Sequence, residues 1–141
     1  MTADESLSRF GLPPAAEHLG DIRALLADQA AKERAGDDRE DDLAYLCCAQ
    51  LFSHGLLEDV LVIWDAKNSG FDLHCSLDVQ FLCGAGLRET KAYLLGHADE
   101  KAADALEYIE DCEDCGDFAD FTPARHLARY RAYFQIDGPG H

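Results

Sequence analysis

Along most of this chain apolar residues recur at three- and four-residue intervals, the spacing of one helix face. Over residues 14–34 the stripe is Leu19, Ile22, Leu25, Leu26 and Ala30. Pro13 and Pro14 suit a first helical turn, where the missing N–H would be unpaired anyway. Gly20 interrupts the stripe and can split it. Gly36 followed by Asp37 and Asp38 reads as a stop and a fresh N-cap. A second helix is predicted over residues 39–54, with Leu43, Leu46, Cys47, Gln50 and Leu51 on one side. Its acids Glu40, Asp41 and Asp42 fall in the first turn, where the macrodipole favours them. Gly55 is the natural residue past its end.

A third helix, residues 56–67, presents Val60, Ile63 and Trp64. The short apolar run 60–64 also suits a buried strand, but Glu58 and Asp59 ahead of it favour a helix. Residues 71–75 read as a loop. Ser76 can cap a fourth helix holding Val79, Leu82 and Cys83, which Gly84 and Gly86 bend or break. Residues 87–95 resume a helix that ends at Gly96. A long helix over residues 98–115 stops at Gly116, and Thr122-Pro123 opens a last one reaching Phe134.

Six to seven helices with short connections predict an all-α single domain, with antiparallel neighbours. Two arrangements fit: an irregular helical bundle, or a short stack of antiparallel helical hairpins. The stack draws on a faint internal echo, in which residues 50–59 align with residues 80–89. Each segment is a helix end, a glycine turn and the start of the next helix, as in stacked repeats. Residues 1–12 are expected to form a flexible arm, 13–135 the helical domain and 136–141 a flexible tail.

Composition narrows the classes of function. With 141 residues and 48% apolar content, the chain has one domain's worth of core. Its 28 acids outnumber its 12 bases, for a net charge of −16. A non-specific nucleic-acid binder needs the opposite sign, and an anionic membrane would repel this chain. The polar start, with Asp4 and Glu5, lacks the apolar run of a secretory signal. Run 60–64 is too short to span a bilayer. A cytoplasmic setting is therefore expected, with the six cysteines as thiols or metal ligands rather than disulfides.

The strongest feature lies between residues 99 and 120. Ten acids stand there against one base, Lys101, a local net charge of −9. At about 100° per residue, Glu100, Asp104, Glu107, Asp111 and Asp114 share one stripe, while Ala102, Leu106 and Ile109 fall opposite. Like charges at i,i+4 destabilise a helix, and a helix needing only solubility would interleave lysines. The stripe therefore reads as a surface that docks a basic protein partner, with electrostatic steering of the encounter. The bland alternative is a solvated face in an acid-rich protein. In the last helix, Arg125, Arg129 and Arg131 are expected to neutralise the acidic helix before them, with an anion site as the alternative.

Two rival chemistries are visible. Cys112 and Cys115 form a C-x-x-C, and a loop His74-Cys75, or His97, could complete a zinc site. A redox role is disfavoured, because Glu110, Asp111, Glu113 and Asp114 should raise those thiol pKa values. The second rival is a small-molecule pocket between helices, lined by Trp64, Tyr93 and Tyr108. Cys47 and Cys83 occupy core positions, where thiols act as small hydrophobes. No nucleophile-elbow, zincin or P-loop spacing occurs, and Gly84–Glu89 lacks the third glycine and preceding strand of a dinucleotide loop. The reading is thus an acidic interaction module with no legible catalytic motif, and the pocket alternative is a small-molecule sensor or enzyme. In charge and size alone it is analogous to bacterial antitoxin and immunity proteins.

Overall fold

The computed structural model describes residues 1–134. Among these it contains eight α-helices and no strand, so the all-α bundle expectation holds. The helices are α1 (Ala3–Phe10), α2 (Leu19–Ala35), α3 (Leu43–His54), α4 (Val60–Lys67), α5 (Phe71–Ser76), α6 (Leu87–Leu95), α7 (Glu100–Asp114) and α8 (Pro123–Tyr133). Single 3-10 turns, Ala16–His18 and Leu57–Asp59, lead into α2 and α4, and a third, Val79–Cys83, precedes α6.

Helix α3 is the hub. Its residues from Leu43 to Phe52 are buried all round, Tyr45 excepted, the signature of a helix enclosed by others. It packs on α2 most extensively, and on α1, α8 and the Val79–Cys83 turn. α2 runs unbroken through Gly20 and buries Ile22 and Leu26 against it. Gly36 closes α2 in the left-handed conformation, φ +73°, which glycine adopts without penalty. The run 60–64 is helical, and Val60, Ile63 and Trp64 are buried as their spacing implied.

Four local expectations are corrected. Residues 1–12 are not a loose arm: Thr2 and Glu5 cap α1 reciprocally, at 2.9 and 3.1 Å, and Phe10 and Leu12 enter the core. Only tertiary packing makes so short a helix worthwhile, and Gln50 Nε2 reinforces it by donating to the Gly11 carbonyl at 2.9 Å. Next, α3 begins at Leu43, not at residue 39, because Asp42 sits at φ +61° and breaks the register. Glu40, Asp41 and Asp42 therefore lie ahead of the helix and not in its first turn. Residues 71–75 belong to α5 rather than to a loop. Finally, Ser76 ends α5 instead of capping a helix, and Val79–Cys83 is a 3-10 turn.

The internal echo has a physical counterpart. The glycine turns of its two halves pack backbone against backbone, so that a Cβ on Gly84 would lie 2.7 Å from the Phe52 carbonyl oxygen and 3.2 Å from Gly55 Cα. Helix α8 packs on α3 through aromatic contacts, with Tyr130 4.5 Å from Phe81 and 5.4 Å from Phe52 between ring centroids. The expected tail, 136–141, lies outside the described residues. No helix among the described residues is long and apolar enough to cross a membrane.

Candidate functional site

Helix α7 carries the site. Asp99 caps it, accepting from the Ala102 N–H at 3.0 Å. Ala102, Ala105, Ile109 and Cys112 are buried toward α6 and α4. The opposite side chains, Glu100, Asp104, Glu107, Asp111 and Asp114, are all exposed. The structure therefore brings the five predicted carboxylates together on one solvent-facing strip.

Nearby bases engage other acids. Lys91 of α6 holds Glu113 at 2.8 Å and Glu110 at 3.9 Å, on the flank of the strip. Lys101 approaches Asp65 of α4 at 3.9 Å. Among the described residues no ion pair reaches any of the five strip carboxylates. The expected neutralisation by the last helix is not seen for Arg125 and Arg129, neither of which forms an ion pair with α7. Arg125 Nη1 donates instead to the Asp120 carbonyl at 3.2 Å, and Arg131 Nη1 donates to the Leu12 carbonyl. Helix α8 makes its main packing contact with α3.

The four thiol and imidazole candidates do not assemble into a metal-holding group. Cys112 is buried and Cys115 exposed, so the C-x-x-C pair faces two environments. Cys75 is exposed, and the His74 ring packs against Tyr108 at 5.5 Å. Among the described residues no group of three or more His, Cys, Asp and Glu is placed to hold a metal ion. The Cys112 thiol is indeed pushed up, as expected, but burial is the main cause, with Asp117 contributing in place of the acids named above. Cys47 and Cys83 are core thiols, each pushed up to about 12 by desolvation.

The pocket candidates also separate. Trp64 and Tyr108 meet at 5.4 Å, but Tyr93 stacks on His97 at 4.3 Å. Trp64 borders an open cleft of about 460 Å³ shared with Asp65, Asn68, Lys101 and Asp104. It is not the closed apolar cavity the three aromatics implied.

Two polar groups escaped the sequence. Lys67, the last residue of α4, is only 3% exposed. Its Nζ donates to the His74 carbonyl at 2.5 Å and the Leu77 carbonyl at 2.6 Å, 5.4 Å from the Tyr108 ring centroid. Burial depresses its pKa. The ammonium closes the C-terminal end of α5, whose orphan carbonyls need donors. Asp78, half-buried, accepts from Tyr45 Oη at 3.2 Å, and desolvation raises its pKa. A lysine in a last turn, just ahead of the Asn68-Ser69-Gly70 stop, was the one available hint for Lys67. Nothing local marked Asp78.

No protein-family model, curated protein or solved structure matches this chain. Its function therefore rests on the geometry alone.

Proposed function

We propose that this protein is a non-enzymatic interaction module that binds a basic protein surface through the α7 strip. The observation carrying this reading is that Glu100, Asp104, Glu107, Asp111 and Asp114 stand exposed in one line with no basic partner within the described chain. Such a strip attracts a complementary surface from a distance and speeds its capture, with a rate that falls as salt is added. Polyanionic partners such as nucleic acid or an acidic membrane face are repelled by the same charge. Six free thiols suit the reducing cytoplasm as its compartment. In role, small acidic inhibitors of basic toxins are the nearest analogy, by charge and size.

The test is capture of binding proteins on immobilised protein at low and high salt. Capture at low salt, its loss at high salt, and its loss on the combined change E107K/D111K/D114K are expected. Capture that survives the triple reversal would rule out α7 as the docking surface.

A further inference from the structure

The acids of residues 37–42 make no capping bond: Asp42 occupies the N-cap position of α3 without a side-chain hydrogen bond to it, and the first turn of α3 holds no acid. They stand exposed on a segment flanked by two clefts that share Asp41. One cleft, about 500 Å³, is edged by Asp37, Asp38, Asp41, Asp72 and Phe71. The other, about 640 Å³, is edged by Asp4, Glu40, Asp41, Asp42, Leu7 and Tyr133. Arg39 is the one base among the lining residues, and Glu33 already holds its Nε at 2.9 Å. The two clefts therefore form a trough with a strong surplus of negative charge.

Aromatic side chains also stand in this trough. Phe71 is 81% exposed, the most exposed large apolar side chain among the described residues, and Tyr133 is 54% exposed. Neither is loosely presented. Glu33 Oε2 accepts the Leu73 N–H at 2.9 Å while Lys67 ties down the far end of α5, so Phe71 projects from a helix held at both ends. Tyr133 Oη donates to Asp42 Oδ2 at 3.1 Å. Pre-positioned aromatics ringed by polar groups are the usual anchors of protein interfaces.

We propose that this trough is a second docking face, separate from α7, and that it takes a basic segment of a partner protein carrying apolar side chains between its cations. The arginines or lysines lie against Asp37, Asp38 and Asp41, and an apolar neighbour covers Phe71. Charge selects this occupant. A second copy of the chain, at net −16, brings like charge to like charge. A purely cationic ligand such as a polyamine leaves Phe71 bare.

The test uses two labelled peptides of equal length and charge, one alternating arginine with leucine and the other arginine with serine, titrated by fluorescence anisotropy. The arginine–leucine peptide should bind at least about tenfold more tightly. F71S should erase that preference, and exposure this high means the change leaves the core intact. D37N/D38N/D41N should weaken both peptides. E107K/D111K/D114K should keep the preference, which separates this trough from the α7 strip. Equal binding of the two peptides, an unchanged preference in F71S, or loss of the preference in the α7 triple variant would each overturn the proposal.

Discussion

Replacing glycine by alanine should have opposite effects at two positions, and the reason is visible in the packing. Gly84 lies at φ −61° and ψ −26°, a backbone that alanine adopts freely. Removing a glycine from the unfolded ensemble is worth about 0.4–1 kcal/mol in favour of folding. Against that gain, the new Cβ would stand 2.7 Å from the Phe52 carbonyl oxygen and 3.2 Å from both Gly55 Cα and Phe52 Cα. Ordinary contact begins at 3.4 Å, so α3 and the Val79–Cys83 turn must move apart. Both are backbone, and α3 is enclosed on every side. Forcing an extra methyl into a packed core costs about 1–3 kcal/mol. The net for G84A is a loss of about 1–2 kcal/mol. Gly20 has nothing within 4 Å of its hypothetical Cβ and sits exposed in α2. G20A should therefore stabilise by about 0.5–1 kcal/mol. Urea unfolding followed by circular dichroism reads both. With a slope of about 1–3 kcal/mol per molar, the two midpoints should move apart by several tenths of a molar or more while the slopes stay constant. If G84A unfolds at or above the wild-type midpoint, the two glycine turns are not a packing contact and the echo between residues 50–59 and 80–89 has no structural meaning.

Three further outcomes are expected. R23A should cost about 2–4 kcal/mol in the same assay, because it strands the 2%-exposed Asp59 carboxylate, which Arg23 Nε and Nη2 hold at 2.6 and 3.1 Å; a loss under about 0.5 kcal/mol would show that the pair is not structural. The E107K/D111K/D114K variant should gain a few tenths of a kcal/mol per relieved helical repulsion at low salt, an advantage that added salt shrinks; a less stable variant would mean the strip holds the fold rather than a partner. Stability should fall as pH rises above 9, since the Cys47 and Cys83 thiols sit near 12 in the folded protein against an ordinary 9.0. Their contribution is complete below pH 9, and each thiol removes about 1.4 kcal/mol per pH unit until its folded pKa is reached. A profile that stays level from about pH 8 to 11 would contradict their burial, and C47A should reduce its slope by about 1.4 kcal/mol per pH unit.

The α7 strip was legible because every ingredient of it is local. Five acids at helical spacing, an N-cap at Asp99 and an apolar opposite face lie within one continuous segment. The same holds for α6 and α8, whose starts and stops are written in Gly86, Gly96 and Thr122-Pro123. The trough at residues 37–42 was misread because its acids sit where a helix start would place them. The position of Asp42 at φ +61° and the Tyr133 hydroxyl that binds it cannot be inferred from neighbours in sequence.

The amino-acid order alone determined the class of fold, the core positions of α2, α3 and α7, the alignment of carboxylates along α7, and the negative sign of the chain's own charge. These follow from helical period, capping chemistry and charge counting, all of which act over a few residues. Tertiary structure decided the rest. It made a helix of residues 71–76 by supplying Glu33 from 38 positions upstream of Phe71 as a cap and Lys67 as a closing donor. It packed α8 on α3 and paired neither Arg125 nor Arg129 with the α7 strip. It buried Cys112 while leaving Cys75 and Cys115 exposed, and it raised Phe71 into solvent beside Asp37 and Asp38. Each of these outcomes depends on groups far apart in the chain meeting in space, and helical period carries no record of such meetings.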